Sequence, residues 1–423
     1  MTRFLHQKKR TRKNSSTRSD MEWSPQQAAA IDEVGAWLRG GNSTPQVYFL
    51  SGYAGTGKTT LALHLAKQQD GEFVGAAFTG KAASVLRRKG WTNANTIHGL
   101  IYAPREVPEE YIKGLKERII KCESEPLRKV LVDELNEAKK PSFELKPEAL
   151  DDVDLVVIDE VSMVGEELGR DLLSFGKKIL VLGDPAQLPP VSGTGFFTRD
   201  KPDFLLTEIH RQARDNPIIG MASIVRQNGY LAKGNYGHCK VIDRRKEEIN
   251  PLQFDQLICG LNRTRRSMND KYRDLLGWTG TVPVQGDKII CLKNNRQRGL
   301  LNGTHWWVQD CEDKGDYLRM RVMSWENYQI AAELEAEEHL FKEEKAMLVD
   351  SHLFDADLAD LQWYERKRAE EFDFGDIITC HKSQGSQWKK VFVLNESYAF
   401  REDRNRWLYT AITRAEETVV VAV

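Results

Sequence analysis

The sequence predicts an α/β fold with two parallel sheets, each covered by helices and each interrupted by an insertion. Three observations predict it. Short apolar runs at 47–50, 73–78, 155–158 and 179–182 alternate with helix-patterned segments. A glycine-rich loop, Gly52-Tyr-Ala-Gly-Thr-Gly-Lys58-Thr59, stands between the first run and a helix. A second set of runs, at 257–260, 391–394 and 418–423, repeats the rhythm toward the C-terminus. Ligands of such sheets sit at the carboxyl ends of the strands, and the acidic residues after 158 and 182 fall there.

Taken in order, residues 1–20 carry Arg3, Lys8, Lys9, Arg10, Arg12, Lys13 and Arg18 against Asp20. Such a stretch is expected to be a disordered basic tail, or an arm that adds counterion-release affinity for nucleic acid. A helix then starts with Ser24 at the N-cap, Pro25 in the first position and Gln27 completing a capping box. Ile31, Val34, Trp37 and Leu38 share its buried face, and Gly40-Gly41 ends it. Further helices are predicted over 58–68 and 82–88. Between His98 and Asp151 the rhythm stops, and the charged residues 109–140 predict a helical insertion. The second pattern is interrupted from Gly286 to Gly375. The first part of that interruption is β-like, because Asn302-Gly303 is a hairpin signal and Leu318, Met320 and Val322 alternate with Arg319 and Arg321. The second part, 325–372, reads as helical and Glu-rich, with Trp325, Trp363 and Tyr364 as apolar anchors.

The chain has 423 residues and a net charge of −1. That balance leaves room for a local basic path for nucleic acid. Six cysteines without a C-x-x-C pair point to idle thiols rather than a disulfide frame or zinc site. No apolar run suits a membrane span or signal peptide, so a cytoplasmic protein is expected.

The loop matches G-x-x-x-x-G-K-[ST]. Its backbone N–H groups wrap phosphates, Lys58 reaches the β- and γ-phosphates, and Thr59 offers a hydroxyl to Mg²⁺. Gly52, Tyr53, Ala54, Gly55, Thr56, Gly57 and Thr60 complete the expected nucleotide-binding stretch. Asp159-Glu160 ends a strand, where Asp159 suits the magnesium shell and Glu160 suits activation of an attacking water. Gln187, in Gly183-Asp-Pro-Ala-Gln-Leu-Pro-Pro190, could touch the γ-phosphate, or the segment could be a proline-stiffened turn with Asp184 capping. Arg211 and Arg414 are candidate cations for the developing charge. Gln27 has two readings, a capping residue and a reader of the adenine edge, and both can hold.

In order along the chain these segments resemble the motifs of superfamily 1 DNA helicases of the RecD/Dda branch, most of all the compact phage type. The motifs are Ser24-Pro-Gln-Gln27, the glycine-rich loop, Thr79-Gly-Lys81-Ala-Ala, Thr96-Ile-His98, Ile158-Asp-Glu-Val-Ser-Met163, Gly183 to Pro190, Arg211, Asn262-Arg-Thr-Arg265, Thr379-Cys-His-Lys-Ser-Gln-Gly385 and Tyr409-Thr-Ala-Ile-Thr-Arg414. Phe78 stands where the family often has proline.

The resemblance implies two RecA-like domains, with ATP and Mg²⁺ in the cleft between them. The implied division is residues 21–206, with an insertion at about 99–150 that carries a strand-separating pin, then 207–285 with 376–423, and an SH3-like β unit with a helical extension at 286–375. Arg211 and Arg414 become arginine fingers and Gln187 a sensor. Single-stranded DNA is implied to cross both domains, touched by Thr79, Lys81, Thr96 and His98 and by Asn262, Thr264, Thr379, His381 and Ser383. For each of these a cap or loop hydrogen bond is the bland alternative. The implied activity is 5′→3′ translocation with duplex unwinding by a monomer acting at DNA junctions, alongside single-strand-binding or replication proteins, in a bacterial or phage-infected cell. A translocase that displaces proteins or acts on RNA without unwinding, and a non-enzymatic DNA-binding loader, remain as alternatives.

Overall fold

The computed structural model describes residues 22–423 apart from 70, 105–107, 123, 139–142, 190–194, 210–214, 294–299, 301, 314–317, 325–344 and 350–369. Helix α1 (Pro25–Arg39) has both halves of its capping box, with Gln27 N–H on Ser24 Oγ and Ser24 N–H on Gln27 Oε1. Strands β1 (Val47–Gly52), β2 (Phe73–Ala77), β3 (Asn95–Thr96), β6 (Leu155–Asp159), β7 (Lys178–Gly183) and β8 (Phe204–Leu206) form one sheet in the order β3-β2-β6-β7-β1-β8. Every pairing in it is parallel. Its strands are apolar without alternation because both faces are covered. Leu155 and Val157 pack toward α1, α2 (Lys58–Gln68) and α3 (Gly80–Arg88), while Val156 and Ile158 pack toward α4 (Ile97–Ile101) and α7 (Glu166–Ser174).

The first insertion is a two-stranded ribbon, β4 (Tyr102–Pro104) against β5 (Phe143–Leu145), that supports a helical hairpin. Its helices, α5 (Glu109–Lys121) and α6 (Glu125–Ala138), close on Leu115, Leu131 and Leu135.

A second sheet runs β17-β11-β18-β19-β10-β9. It is built from β11 (Gln256–Cys259), β17 (Ile377–Thr379), β18 (Trp388–Leu394), β19 (Ala415–Ala422) and β10 (Cys239–Ile242), all parallel, with β9 (Gly234–Tyr236) antiparallel at one edge. Helices α8 (Pro217–Asn228) and α10 (Arg404–Ile412) pack on one face through Met221, Val225, Trp407 and Leu408. Helix α9 (Asn262–Leu275) presents Met268 and Tyr272 to the other.

Inserted here is an antiparallel sheet, ordered β15-β14-β13-β12-β16. It comprises β12 (Lys288–Cys291), β13 (His305–Asp313), β14 (Leu318–Ser324), β15 (Lys345–Val349) and β16 (Phe372–Phe374). The alternation in β14 is borne out, with Leu318, Met320 and Val322 buried and Arg319 and Arg321 exposed. The helical reading of 325–372 is corrected at both strands it contains. Lys345–Val349 pairs along β14 and Phe372 pairs with Cys291 of β12, so sheet edges decide the conformation against the helix preference of Ala, Met and Leu. The expected anchors Trp325, Trp363 and Tyr364 lie outside the described residues.

The two parallel sheets meet through specific contacts. Leu188, from the turn after β7, is buried in the core of the second sheet. Its N–H donates to Thr410 Oγ1 at 2.9 Å, and its carbonyl accepts from Gln384 Nε2 at 2.8 Å. Gly385 has φ +73°, and a Cβ there would come within 3.1 Å of Ala82 Cβ and Thr79 Oγ1 on the first sheet's side. Only glycine satisfies both the left-handed backbone and this close approach.

Candidate functional site

The glycine-rich loop leaves β1 and enters α2 through Gly57, whose φ of +80° puts the next N–H groups at the start of the helix. A Cβ on Gly57 would lie 2.8 Å from Gln27 Nε2. Gln27 is therefore packed directly under the loop, and its Nε2 donates to Thr56 O at 3.0 Å. Both ends of its amide are engaged, one in the helix cap and one in the loop. Thr56 Oγ1 donates to Tyr53 O at 2.8 Å and braces the turn. Lys58 Nζ donates to the carbonyls of Gly52 and Tyr53, so its ammonium lies within the loop. Thr59 Oγ1 donates to Asp159 Oδ2 at 2.9 Å. A hydroxyl and a carboxylate side by side at the loop mouth are hard oxygen donors of the kind Mg²⁺ takes alongside phosphates and water. The residues present fit that ion.

A cavity of about 310 Å³ opens in front of the loop. Tyr53, Ala54, Gly55, Gly57, Lys58, Thr59 and Thr60 line one side, with Asp159, Glu160, Asp184 and Gln187. Asn216, Ile218, Gly385, Thr413 and Arg414 face them from the second half of the chain. Glu160 has φ +54°, a left-handed backbone that a side-chain-bearing residue adopts at a cost. Burial pushes its carboxyl above the usual range; Asp159 and Asp184 add to this, and Arg414 and Lys58 oppose it. A carboxyl whose pKa is raised in this way takes up a proton more readily than an ordinary carboxylate. Gln187 Oε1 is buried in the cavity wall without a hydrogen-bond partner. Arg414 is buried, donating to Thr410 O at 3.0 Å, Ser386 O at 3.3 Å and Thr413 Oγ1 at 3.2 Å. Arg211 lies outside the described residues.

A second cavity, of about 730 Å³, runs across the carboxyl ends of both sheets. It brings together Thr79, Lys81, Thr96, His98 and His381. It also gathers groups that the sequence did not assign to a DNA path, among them Phe78, Glu166, Glu167, Lys382, Gln384, Ser386 and the turn Asn302-Gly303. Lys382 and Gln384 were within reach, since they sit in the same quoted motif as His381. The place of Asn302 at the groove came only with the fold, because its predicted turn belongs to the antiparallel insertion.

The hydroxyls divide by what they do with their protons. Thr79 and Thr96 accept from Ala82 N–H and Gly99 N–H as helix caps. For Thr79, accepting in this way does not use its own O–H. Thr264 instead donates to Glu396 Oε1 at 2.7 Å, and Ser383 donates to Cys380 O at 2.7 Å. Ser383 is fully buried and Thr379 nearly so, and neither lines the groove. Asn262 and Thr264 do not line it either; Asn262 is exposed on the first turn of α9. Glu396 also accepts from Gly260 and Leu261 N–H, so it anchors the start of α9. Burial lowers the pKa of His381, which favours its neutral form.

A phosphate-binding loop and acidic pair on one parallel sheet, faced by a buried arginine from a second, define a P-loop nucleoside-triphosphatase fold with a two-sheet cleft. A family model described as an AAA domain matches residues 19–237, and one described as a UvrD-like helicase C-terminal domain matches residues 374–422. The ATP-dependent RecD2 DNA helicase of Deinococcus radiodurans is 27% identical over 413 residues, covering 93% of this chain and 48% of that protein. The ATP-dependent DNA helicase Pif1 of Campylobacter jejuni is 24% identical over 421 residues, covering 87% of this chain and 86% of that one. This chain thus spans about half the length of the RecD2 relative. In fold it is similar to a Pif1 helicase from a structure of two such helicases at forked double-stranded DNA, with a TM-score of 0.54 at 17% identity over 95% of this chain and 92% of that one. It is also similar to Bacteroides Pif1 bound to single-stranded DNA, with a TM-score of 0.51 at 16% identity over 96% of this chain and 93% of that one. The chain belongs to the AAA-domain family, and its likeness to the RecD2 and Pif1 helicases runs over most of its length. Among the described residues no helix is long and apolar enough to cross a membrane.

Proposed function

We propose that this protein is an ATP-dependent DNA helicase that moves along single-stranded DNA and separates the strands of a duplex. The observation that carries this reading is the direct link between the two cavities. Gln384 lines the groove and holds Leu188, which follows Gln187 in the wall of the nucleotide cavity. A change at the nucleotide is therefore felt at the groove through bonded neighbours.

In this reading the loop residues 52–60 bind the phosphates of ATP and Lys58 swings from its loop carbonyls to the β- and γ-phosphates. Thr59 and Asp159 would hold Mg²⁺, which when bound neutralises phosphate charge. Glu160 takes the proton of the attacking water. Gln187 turns its unpartnered oxygen or its amide to the reacting centre, and Arg414 leaves its carbonyl partners to meet the developing charge. Arg211 is proposed as a second cation. The chain divides at 21–206, 207–285 with 376–423, and 286–375, with the helical insertion of about 99–150 in the place of a pin. In the groove, Thr79, Lys81, Thr96, His98 and His381 hold the phosphate backbone without reading sequence. Asn262 extends the path, while Thr264, Thr379 and Ser383 shape it from within. Travel is proposed as 5′→3′, on the resemblance to the RecD/Dda branch.

The first test is ATP turnover with and without single-stranded DNA. DNA should raise it severalfold, and Lys58→Ala should abolish it. Turnover indifferent to DNA would favour the non-enzymatic loader reading.

A further inference from the structure

The tyrosine that opens the segment Tyr409 to Arg414 makes a contact that the proposed mechanism does not use. Tyr409 Oη donates to Asp184 Oδ2 at 2.7 Å and accepts from Ala54 N–H at 2.8 Å. One hydroxyl from α10 thus joins the phosphate-binding loop to the acid that ends β7. The tyrosine is nearly fully buried and Asp184 is buried. Asp184 Oδ1 is occupied by Ala186 N–H at 2.9 Å, so its carboxylate is oriented from both sides. The loop is gripped a second time one residue earlier, where the Arg226 guanidinium of α8 lies 3.8 Å from the Tyr53 ring centroid. Tyr53 O is also a carbonyl that holds Lys58. The first half of the loop is therefore fastened to the second sheet, while its second half, Thr56 and Gly57, rests on Gln27 of the first.

We propose that Tyr409 is a positioning residue for phosphoryl transfer, a clasp that makes seating of the loop and delivery of Arg414 a single event. The geometry supports this, because Tyr409 and Arg414 flank Thr410, whose carbonyl accepts from Arg414 and whose hydroxyl accepts from Leu188. Any rotation of α10 that moves the arginine must also move the hydroxyl on Ala54 and Asp184. The proposal rests on the ATPase reading and adds to it a residue that touches no substrate atom.

The test compares wild type with Tyr409→Phe, which keeps the ring in its core and removes the bridging oxygen. Losing a buried hydrogen bond to a carboxylate should lower DNA-stimulated kcat about tenfold. Nucleotide affinity, read by equilibrium binding of a fluorescent ADP analogue, should stay within about twofold, because Thr56 and Thr59 keep their own contacts to Gln27 and Asp159. The fall should shrink in an Asp184→Asn background, since a clasp and its partner are not additive. A residue that served only packing would lower thermal stability and leave kcat per folded molecule and the additivity unchanged; that result overturns the proposal. A readout independent of catalysis is hydrogen exchange of residues 52–57 without nucleotide. It should quicken in Tyr409→Phe, and unchanged exchange overturns the clasp. If wild type shows no turnover, the ATPase reading fails, and exchange alone decides whether the clasp exists.

Discussion

Glu160 concentrates the chemistry in one residue. Its left-handed backbone and its partly buried, desolvated carboxyl are both costs, and each is explained by a task at the mouth of the cavity. Glu160→Gln is expected to lower turnover at least about a hundredfold while ATP still binds, measured by steady-state ATPase and equilibrium binding. In wild type, turnover should fall as pH drops through the raised pKa, because a base must be deprotonated to act. Stability follows the opposite sign. The folded state keeps a proton that the unfolded chain loses earlier, so this group's contribution to stability declines as pH rises from the ordinary carboxylate pKa through the raised one. Glu160→Gln should therefore raise Tm at neutral pH, and the gain should fade toward acid. Arg414→Lys keeps a charge but loses the fork that donates to Thr410, Ser386 and Thr413. It should cost turnover and stability together, read by ATPase rate and thermal melting. The loop, the acidic pair and the capping box were legible residue by residue, since each needs a fixed spacing that the sequence displays. Tyr409 was not, because its partners Ala54 and Asp184 are remote in the chain and nothing local predicts that they converge.

Among the elements, the parallel strands were legible because burial on both faces leaves unbroken apolar runs. Their ends were not. Helix α3 begins at Gly80 rather than 82, because the Thr79 hydroxyl caps it, and β19 begins at Ala415 rather than 418, because Ala415 pairs with Trp388. Strand β15 was missed outright, since its pairing with β14 is a tertiary choice. The turn after β7 is the element on which coupling depends. Leu188→Ala removes a side chain buried in the opposing core and should destabilise the protein by about 2–5 kcal/mol. It should also blunt the stimulation of ATPase by DNA, because Gln187 loses its fixed neighbour. Denaturant unfolding and ATPase with and without DNA check the two effects separately.

For the whole molecule, a net charge of −1 goes with a groove in which Lys81 and Lys382 stand beside Glu166 and Glu167. Affinity for single-stranded DNA should fall with rising salt on a log–log line, and Lys81→Ala should reduce its slope by about 0.7; fluorescence anisotropy across a salt series measures both. The groove and nucleotide cavity share the two sheets, so strand separation is the claim that joins them. It is tested most directly with duplexes that carry a single-stranded tail on only the 5′ or only the 3′ side, in the presence of ATP. Strand separation of the 5′-tailed duplex is expected, and is lost with Lys58→Ala. Separation of the 3′-tailed duplex alone would contradict the direction, and separation of neither, with ATP turnover intact, would contradict the helicase reading itself.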